Sequence, residues 1–408
     1  MPMNRIVVVG ASLAGLRACE SLRTAGYTGT ITLIGAETHQ PYDRPPLSKA
    51  LLKGEYEPDR IQLRKPEALA GLELDMRLGV RATALDVSRR AVMLDMDEVL
   101  AADGVIIATG SEPRPLPGQP DLDGVTMLRT LDDSLALRRR LADRPRVVVI
   151  GAGFIGLEVA ATAALSGCAV TVVEGASAPL MRGLGAEMGE IVARVHARHG
   201  VDVLCDVEVV GIEGVGGQTK GVRLGDGQLI AADIVVVGIG VSPATAWLDG
   251  SGLELRDGVV CSESLRAASG IYAAGDCARW VNQLFGDAGE EMRVEHWTNA
   301  AEQGAAAAAN LLAELSGEPP TPYAPVPFFW SDQFDSRIQF IGRVHGDDET
   351  RVVAGDIDGG FVALYGHADR LRGVLGVNMP RVVMPFRKLL AERASWDDAL
   401  QHVAHVTE

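Results

Sequence analysis

The sequence predicts an α/β protein with two doubly wound domains followed by a smaller α+β domain, on three observations. Short apolar runs recur at Ile6 to Val9, Val105 to Ile107, Val147 to Ile150, Val170 to Val173 and Ile234 to Val237. Runs of this length that end at glycine are strands buried on both faces of a parallel sheet. Helical patterns lie between several of them, as at Leu157 to Leu165 and Gln303 to Leu315, and such alternation is the mark of doubly wound sheets. Residues 5–37 read as strand, glycine turn, helix, strand and acidic residue, and residues 146–174 repeat that order. Two such units are two Rossmann-like nucleotide-binding modules. The chain length of 408 residues agrees, since roughly 150 residues make a domain.

Composition excludes several classes. Hydrophobic residues make up 47% and charged residues 23%, enough apolar material for sizeable cores and too much for a disordered chain. The net charge of −16 sets the chain against phosphate backbones and anionic membrane surfaces, so neither nucleic acid nor membrane is an expected partner. Five cysteines, Cys19, Cys168, Cys205, Cys261 and Cys277, form no CxxC pair. That pattern fits reduced thiols and argues against a disulfide framework or a structural zinc. No apolar run approaches the roughly 18 residues that span a bilayer. The N-terminal apolar run passes directly into glycines, as a buried strand does and a signal peptide does not. The expected address is the cytoplasm.

The first fingerprint is Gly10-Ala11-Ser12-Leu13-Ala14-Gly15, with Ser12 in the place of the usual second glycine. Its backbone N–H groups are suited to a pyrophosphate at a helix N-terminus, and Glu37 stands where a carboxylate accepts a ribose hydroxyl. A serine-hydrolase elbow fails because position 14 is alanine. The second fingerprint, Gly151-Ala152-Gly153-Phe154-Ile155-Gly156, is complete, and its second strand ends at Val173 beside Glu174. A carboxylate there suits a free ribose 2′-OH and repels a 2′-phosphate. Residues 175–179 hold no Lys or Arg, and the nearest basic residue is Arg182. NADH is therefore expected over NADPH.

Two dinucleotides in one chain suggest cofactors that exchange electrons, a nicotinamide passing hydride to a flavin. Ala108-Thr109-Gly110 and Gly238-Ile239-Gly240 each follow a buried strand, where backbone must come close to a ligand or another segment. In Ala274-Gly275-Asp276-Cys277 a carboxylate follows glycine, a placement suited to the hydroxyls of a ribityl chain.

Together with Arg44-Pro45-Pro46-Leu47-Ser48-Lys49, this ordered set resembles the oxygenase-coupled ferredoxin reductases. Its most specific stretches are residues 41–49 and Phe329-Trp330-Ser331-Asp332-Gln333, and the likeness covers nearly the whole chain. It implies a glutathione-reductase-like plan: FAD-binding segments at 1–112 and 239–318, an NADH-binding domain at 113–238 and a C-terminal α+β domain at 319–408. It implies FAD contacts at Ala14, Arg44, Lys49, Ala82 (through its backbone), Arg129, Asp276 and Trp297, with Trp330 near the flavin ring. On the NADH side it implies Gly153, Ile155, Gly156, Glu174, Arg182 and Gly240. Lys49 and Glu158 resemble a Lys–Glu pair beside the flavin. Ala36 stands where Asp is common in the family, which moves the expected ribose contact to Glu37.

The activity implied is hydride transfer from NADH to FAD, then single-electron delivery to a small acidic iron–sulfur ferredoxin that supplies a haem-thiolate monooxygenase or a ring-hydroxylating dioxygenase. The alternative is a slowly turning over, redox-sensing flavoprotein of the apoptosis-inducing-factor type. A disulfide reductase would need a cysteine pair on the early helical region, and residues 41–52 hold no cysteine. Arg370 to Arg393 carries six basic residues and one acidic residue, a positive island suited to an acidic partner, or else a solvated helix face. Residues 316–327, with five prolines and a glycine, read as a linker. His196 and His199, like His402 and His405, read as solvated helix residues rather than metal ligands, and no metal is expected.

Overall fold

A computed structural model of the chain describes residues 5–285 and 289–407. Two compact units emerge, one made of residues up to 43, 61–112 and 242–327, the other of residues 44–60, 113–241 and 328 onward.

The first unit is built on a six-stranded sheet. Its order is Arg266–Ala268, Ile271–Ala273, Gly104–Ile107, Arg5–Val9, Thr30–Gly35 and Asp75–Leu78. All neighbours pair parallel except the first two strands. Ile6, Val7, Val8 and Val9 are each at most 2% exposed, as the continuous apolar run requires. Burying each such side chain stabilises the sheet by about 1.5–3 kcal/mol. The helices Leu13–Thr24 and Trp297–Leu315 cross closely because Gly304 has no side chain. A Cβ there would lie 2.2 Å from the Ala14 carbonyl oxygen.

Residues 316–327 contain no helix or strand, as a linker does, and they are strapped to this unit. Buried Asn310 donates to the Thr321 carbonyl and accepts from the Thr321 amide. Trp280 and Asn282 donate to the carbonyls of Tyr323 and Pro325. Proline removes N–H donors from the segment, and side chains of the unit take up its carbonyls.

The second unit holds a five-stranded parallel sheet. Its order is Asp202–Leu204, Ala169–Val173, Arg146–Ile150, Ile234–Val237 and Val125–Thr126. The helices Phe154–Leu165 and Ala186–Arg198 belong to it. So does an antiparallel five-stranded sheet of order Phe328–Gln333, Ser336–Gly342, Arg370–Val377, Phe361–His367 and Glu349–Gly355.

The basic stretch from Arg370 therefore begins as a strand and is not one helix face. Apolar residues alternate with Arg370 and Arg372 along it, and Leu371, Val374 and Leu375 are buried. Arg372 is paired with Asp347 and Asp348, so the island is smaller than its residue count implied. Among the described residues no helix is long and apolar enough to cross a membrane.

Candidate functional site

The two fingerprint turns use glycine for the same steric reasons. Gly10 has φ +121°, and a Cβ there would sit 2.0 Å from the Ala108 carbonyl oxygen. Gly151 repeats this at φ +102°, 2.4 Å from the Gly238 oxygen. The pairing explains the two later glycine segments, Ala108-Thr109-Gly110 and Gly238-Ile239-Gly240, whose backbones pass against the turns. The third glycines, Gly15 and Gly156, let each helix descend onto its own turn, since a Cβ would meet the Gly10 or Gly151 oxygen at 1.9 or 2.3 Å.

The middle positions differ. A Cβ at Gly153 would meet nothing within 4 Å, so the protein's own packing does not demand glycine there, and a pyrophosphate approaching the backbone does. In the other turn Ser12 is the helix N-cap residue, but its hydroxyl does not cap the helix. Both cradles fit a dinucleotide phosphate.

Glu174 is fixed at the second turn. Its two carboxylate oxygens accept from the amides of Ala152, at 2.7 Å, and Ala176, at 2.8 Å. This anchors a negative charge beside the glycine turn, at the end of the second strand. Ile155 is 43% exposed at the start of the following helix, an apolar surface beside the cradle. Arg182 is exposed on the short helix Met181–Leu184. Gly240 has φ +105°, open space at its Cβ position, and a carbonyl that accepts from the Arg114 amide.

In the first unit Glu37 accepts a hydrogen bond of 2.5 Å from the Tyr42 hydroxyl. Asp276 sits in a single turn, Gly275–Cys277, and accepts from Ser111 at 2.7 Å. Gly275 donates its amide to buried Gln303. Thr109 donates to the Ala244 carbonyl, and Trp297 donates to Asp43 at 2.6 Å. Ala82 opens the strand Ala82–Asp86.

In the second unit Arg44 donates to the Arg129 carbonyl, and Trp330 stacks beside Phe328 on the strand Phe328–Gln333. The FAD-side expectations thus fall in both units, with Arg44, Lys49, Arg129 and Trp330 in the second.

Lys49 and Glu158 are brought together as expected, with Nζ 2.6 Å from Oε2. Glu158 is 5% exposed and does not face solvent. Its Oε2 also accepts from Ser48 at 2.5 Å, and its Oε1 accepts from Ser331 at 2.6 Å. Thr162, one helical turn on, donates to the Ser48 carbonyl at 2.7 Å, so a single helix face pins the segment that carries Lys49. Lys49 donates a further bond to the Pro45 carbonyl.

Sequence reasoning missed Ser48, Thr162, Ser331 and Gln333. Ser48, Ser331 and Gln333 lay within the stretches singled out as specific, and strand alternation places Phe329, Ser331 and Gln333 on one face and Trp330 on the other. His196 corrects an expectation: it is fully buried and hydrogen-bonded to Gln333 at 2.9 Å, not a solvated helix residue. It lies on the apolar side of an amphipathic helix, with Val192 and Val195 buried beside it.

Disulfide chemistry finds no support in the thiols. Cys19 is buried, and burial pushes its thiol up, away from a reactive thiolate. Among the described residues no group of three His, Cys, Asp or Glu side chains could hold a metal ion. A groove walled by Met188, Ile191, Val195, Ile338, Phe361 and Leu375, which Gln333 also lines, contains none of the fingerprint residues.

Comparison with known proteins agrees with this geometry. Residues 4–304 match the family described as pyridine nucleotide-disulphide oxidoreductase, and residues 328–404 match a reductase C-terminal domain. Rhodocoxin reductase of Rhodococcus erythropolis is 40% identical over 390 residues, covering 95% of this chain and 89% of that protein. The ferredoxin–NAD(+) reductase component of the anthranilate 1,2-dioxygenase system of Burkholderia cepacia is 36% identical, covering 97% of this chain and 96% of that one. The covalent putidaredoxin reductase–putidaredoxin complex includes a chain that superposes with a TM-score of 0.90 at 32% identity, covering 98% of each. The chain belongs to the pyridine nucleotide-disulphide oxidoreductase family, among the ferredoxin reductases of oxygenase systems.

Proposed function

We propose that the chain passes electrons from NADH through FAD to an iron–sulfur ferredoxin that serves an oxygenase, and that the residues named above carry that reaction. The observation that supports it most is the pair of glycine cradles, each with a carboxylate at the end of its second strand. FAD, when bound, supplies the exchange between a two-electron hydride donor and a one-electron acceptor. The first cradle, with Glu37 and Asp276, binds FAD, and the second, with Glu174, binds NADH.

Glu174 selects NADH because its carboxylate, held by two amides, repels a 2′-phosphate. With FAD bound, Lys49 would offer a positive charge to the flavin ring, an electrostatic role that requires the ammonium to be held in place beforehand. Glu158 holds it, and Ser48 and Ser331 hold Glu158. The disulfide chemistry in the family's name has no cysteine here to perform it: Lys49 lies in the segment where such a pair would stand. The relatives do not favour the redox-sensing alternative. The reading extends to a cytoplasmic setting, where reduced thiols and NADH are both available.

Reconstitution tests the activity. Purified holoenzyme with NADH should reduce cytochrome c rapidly only when an acidic iron–sulfur ferredoxin is added. Equal rates without ferredoxin would contradict the reading.

A further inference from the structure

We propose that Gln333 and His196 are positioning residues for the Lys49–Glu158 pair, joined to it through Ser331 by an unbroken, buried chain of hydrogen bonds. The proposal rests on the reading of Lys49 just given.

The direction of every bond in the chain follows from its charged end. Glu158, paired with the Lys49 ammonium, is a carboxylate and can only accept. Ser331 must therefore donate its hydroxyl proton to Oε1, across 2.6 Å. That leaves the Ser331 oxygen to accept, and the Gln333 amide nitrogen donates to it at 3.1 Å. The amide orientation is fixed by this, so the Gln333 oxygen faces His196 Nε2 at 2.9 Å and must receive a proton from it. The Nε2 of His196 therefore carries a proton.

An independent observation at the far end agrees. His196 Nδ1 is buried and has no hydrogen-bond partner among the described residues. A proton there would be a buried donor without an acceptor, whereas the bare nitrogen costs less. Burial also pulls the imidazole below its usual range, against a smaller upward pull from the Gln333 bond, which keeps the ring neutral.

Ser331, Gln333 and His196 are each at most 1% exposed, so the links between them lie out of bulk solvent. The chain ties one oxygen of Glu158 to Ser331 and leaves the other on Lys49 and Ser48. Without His196 the Gln333 amide loses its reason to hold one orientation, and the Ser331 hydroxyl becomes free to rotate away. Phe334 packs against His196 edge to face, at a centroid distance of 5.1 Å.

The test uses the flavin-loaded protein and two readouts. In stopped-flow mixing with NADH, His196→Leu should slow flavin reduction about fivefold, the rate equivalent of one hydrogen bond. His196→Gln, which keeps an amide donor at the Nε2 position, should restore it to within about twofold. In a Lys49→Met background, His196→Leu should add no further slowing, because the effect acts through that pair. Slowing of the same size in both backgrounds, or no rescue by Gln, would reduce the residue to a packing role and overturn the proposal.

The second readout is nitrogen-15 histidine NMR. It should show the Nε2–H tautomer for His196, and Glu158→Gln should shift that proton across three intervening hydrogen bonds. A proton on Nδ1, or a resonance indifferent to Glu158, would overturn the chain itself. Wild-type flavin that NADH does not reduce would instead remove the functional reading, and with it the role assigned to the chain.

Discussion

Lys49 and Glu158 meet at 2.6 Å, with the Glu158 side chain 5% and the Lys49 side chain 19% exposed, so the carboxylate is the more deeply buried of the two. Held by that carboxylate, the ammonium keeps one position before any reaction. Lys49→Met should therefore slow flavin reduction by NADH at least about tenfold, the scale of losing one preorganised electrostatic contact. Stopped-flow measurement at saturating NADH separates this from weaker binding; an unchanged rate would remove Lys49 from the mechanism.

Glu174 should control the choice of nucleotide. Glu174→Ala removes the charge that opposes a 2′-phosphate, together with the acceptors of two backbone amides. The ratio of kcat/KM for NADH over NADPH is expected to fall about tenfold or more, equivalent to about 1.4 kcal/mol of discrimination. A ratio that does not move would place nucleotide selection elsewhere.

Two glycines in equivalent fingerprints should respond differently to alanine. At Gly10 a methyl group would overlap the Ala108 carbonyl at positive φ, so Gly10→Ala should damage folding or FAD retention. At Gly153 the methyl group enters open space, so Gly153→Ala should fold normally and raise the KM for NADH. Thermal melting and steady-state kinetics on both variants check the contrast, which fails if Gly153→Ala melts as early as Gly10→Ala.

The pH dependence of stability should come from buried imidazoles. Burial lowers His296 to about 4 against a smaller opposing effect of Asp276, and it lowers His196 as well. The folded values lie below the unfolded value of about 6.5, so between the two the unfolded chain binds more protons. This stability is full above about pH 6.5 and is lost as pH falls toward about 4. Asp233, held to about 2 by Arg146, has the carboxylate sign, and its contribution disappears only below its unfolded value of about 4. Urea midpoints should therefore fall between pH 7 and 5, and fall less in His196→Gln. A flat midpoint over that interval would contradict the assignment.

Partner docking should be sensitive to salt. Arg381, Arg387, Lys388 and Arg393 are exposed, Lys388 with Glu392 at 3.7 Å, and the less exposed Arg372 is paired with Asp347 and Asp348. Raising ionic strength from about 0.05 to 0.5 M should weaken coupling to an acidic ferredoxin several-fold and leave NADH-to-dye activity intact. Coupling that is flat with salt would exclude this surface as the docking site.

Much of the scaffold was legible because its rules are local. A valine run ending at Gly10 or Gly151 announces a buried parallel strand, a tight turn and a helix, and the strands and helices formed where those patterns stood. The Lys49–Glu158 pairing could be expected only through the family resemblance, since 109 positions separate the two and no periodicity connects them. His196 was misjudged because the sequence shows a polar residue near a helix end and does not show that the strand Phe328–Gln333 brings an amide to meet it. The proline-rich segment lacks helix and strand, as a linker does, and only its anchoring was hidden in the sequence. Proline predicts the absence of helix and strand, while the side chains that capture its carbonyls come from Trp280, Asn282 and Asn310.

The most direct measurement is an anaerobic titration of the purified protein with NADH and, separately, with NADPH, following flavin absorbance near 450 nm, roughly where oxidised flavins absorb. Prompt bleaching by NADH with a weak response to NADPH is the expected result. A colourless protein, or yellow flavin that neither nucleotide reduces, would contradict the two-cofactor account.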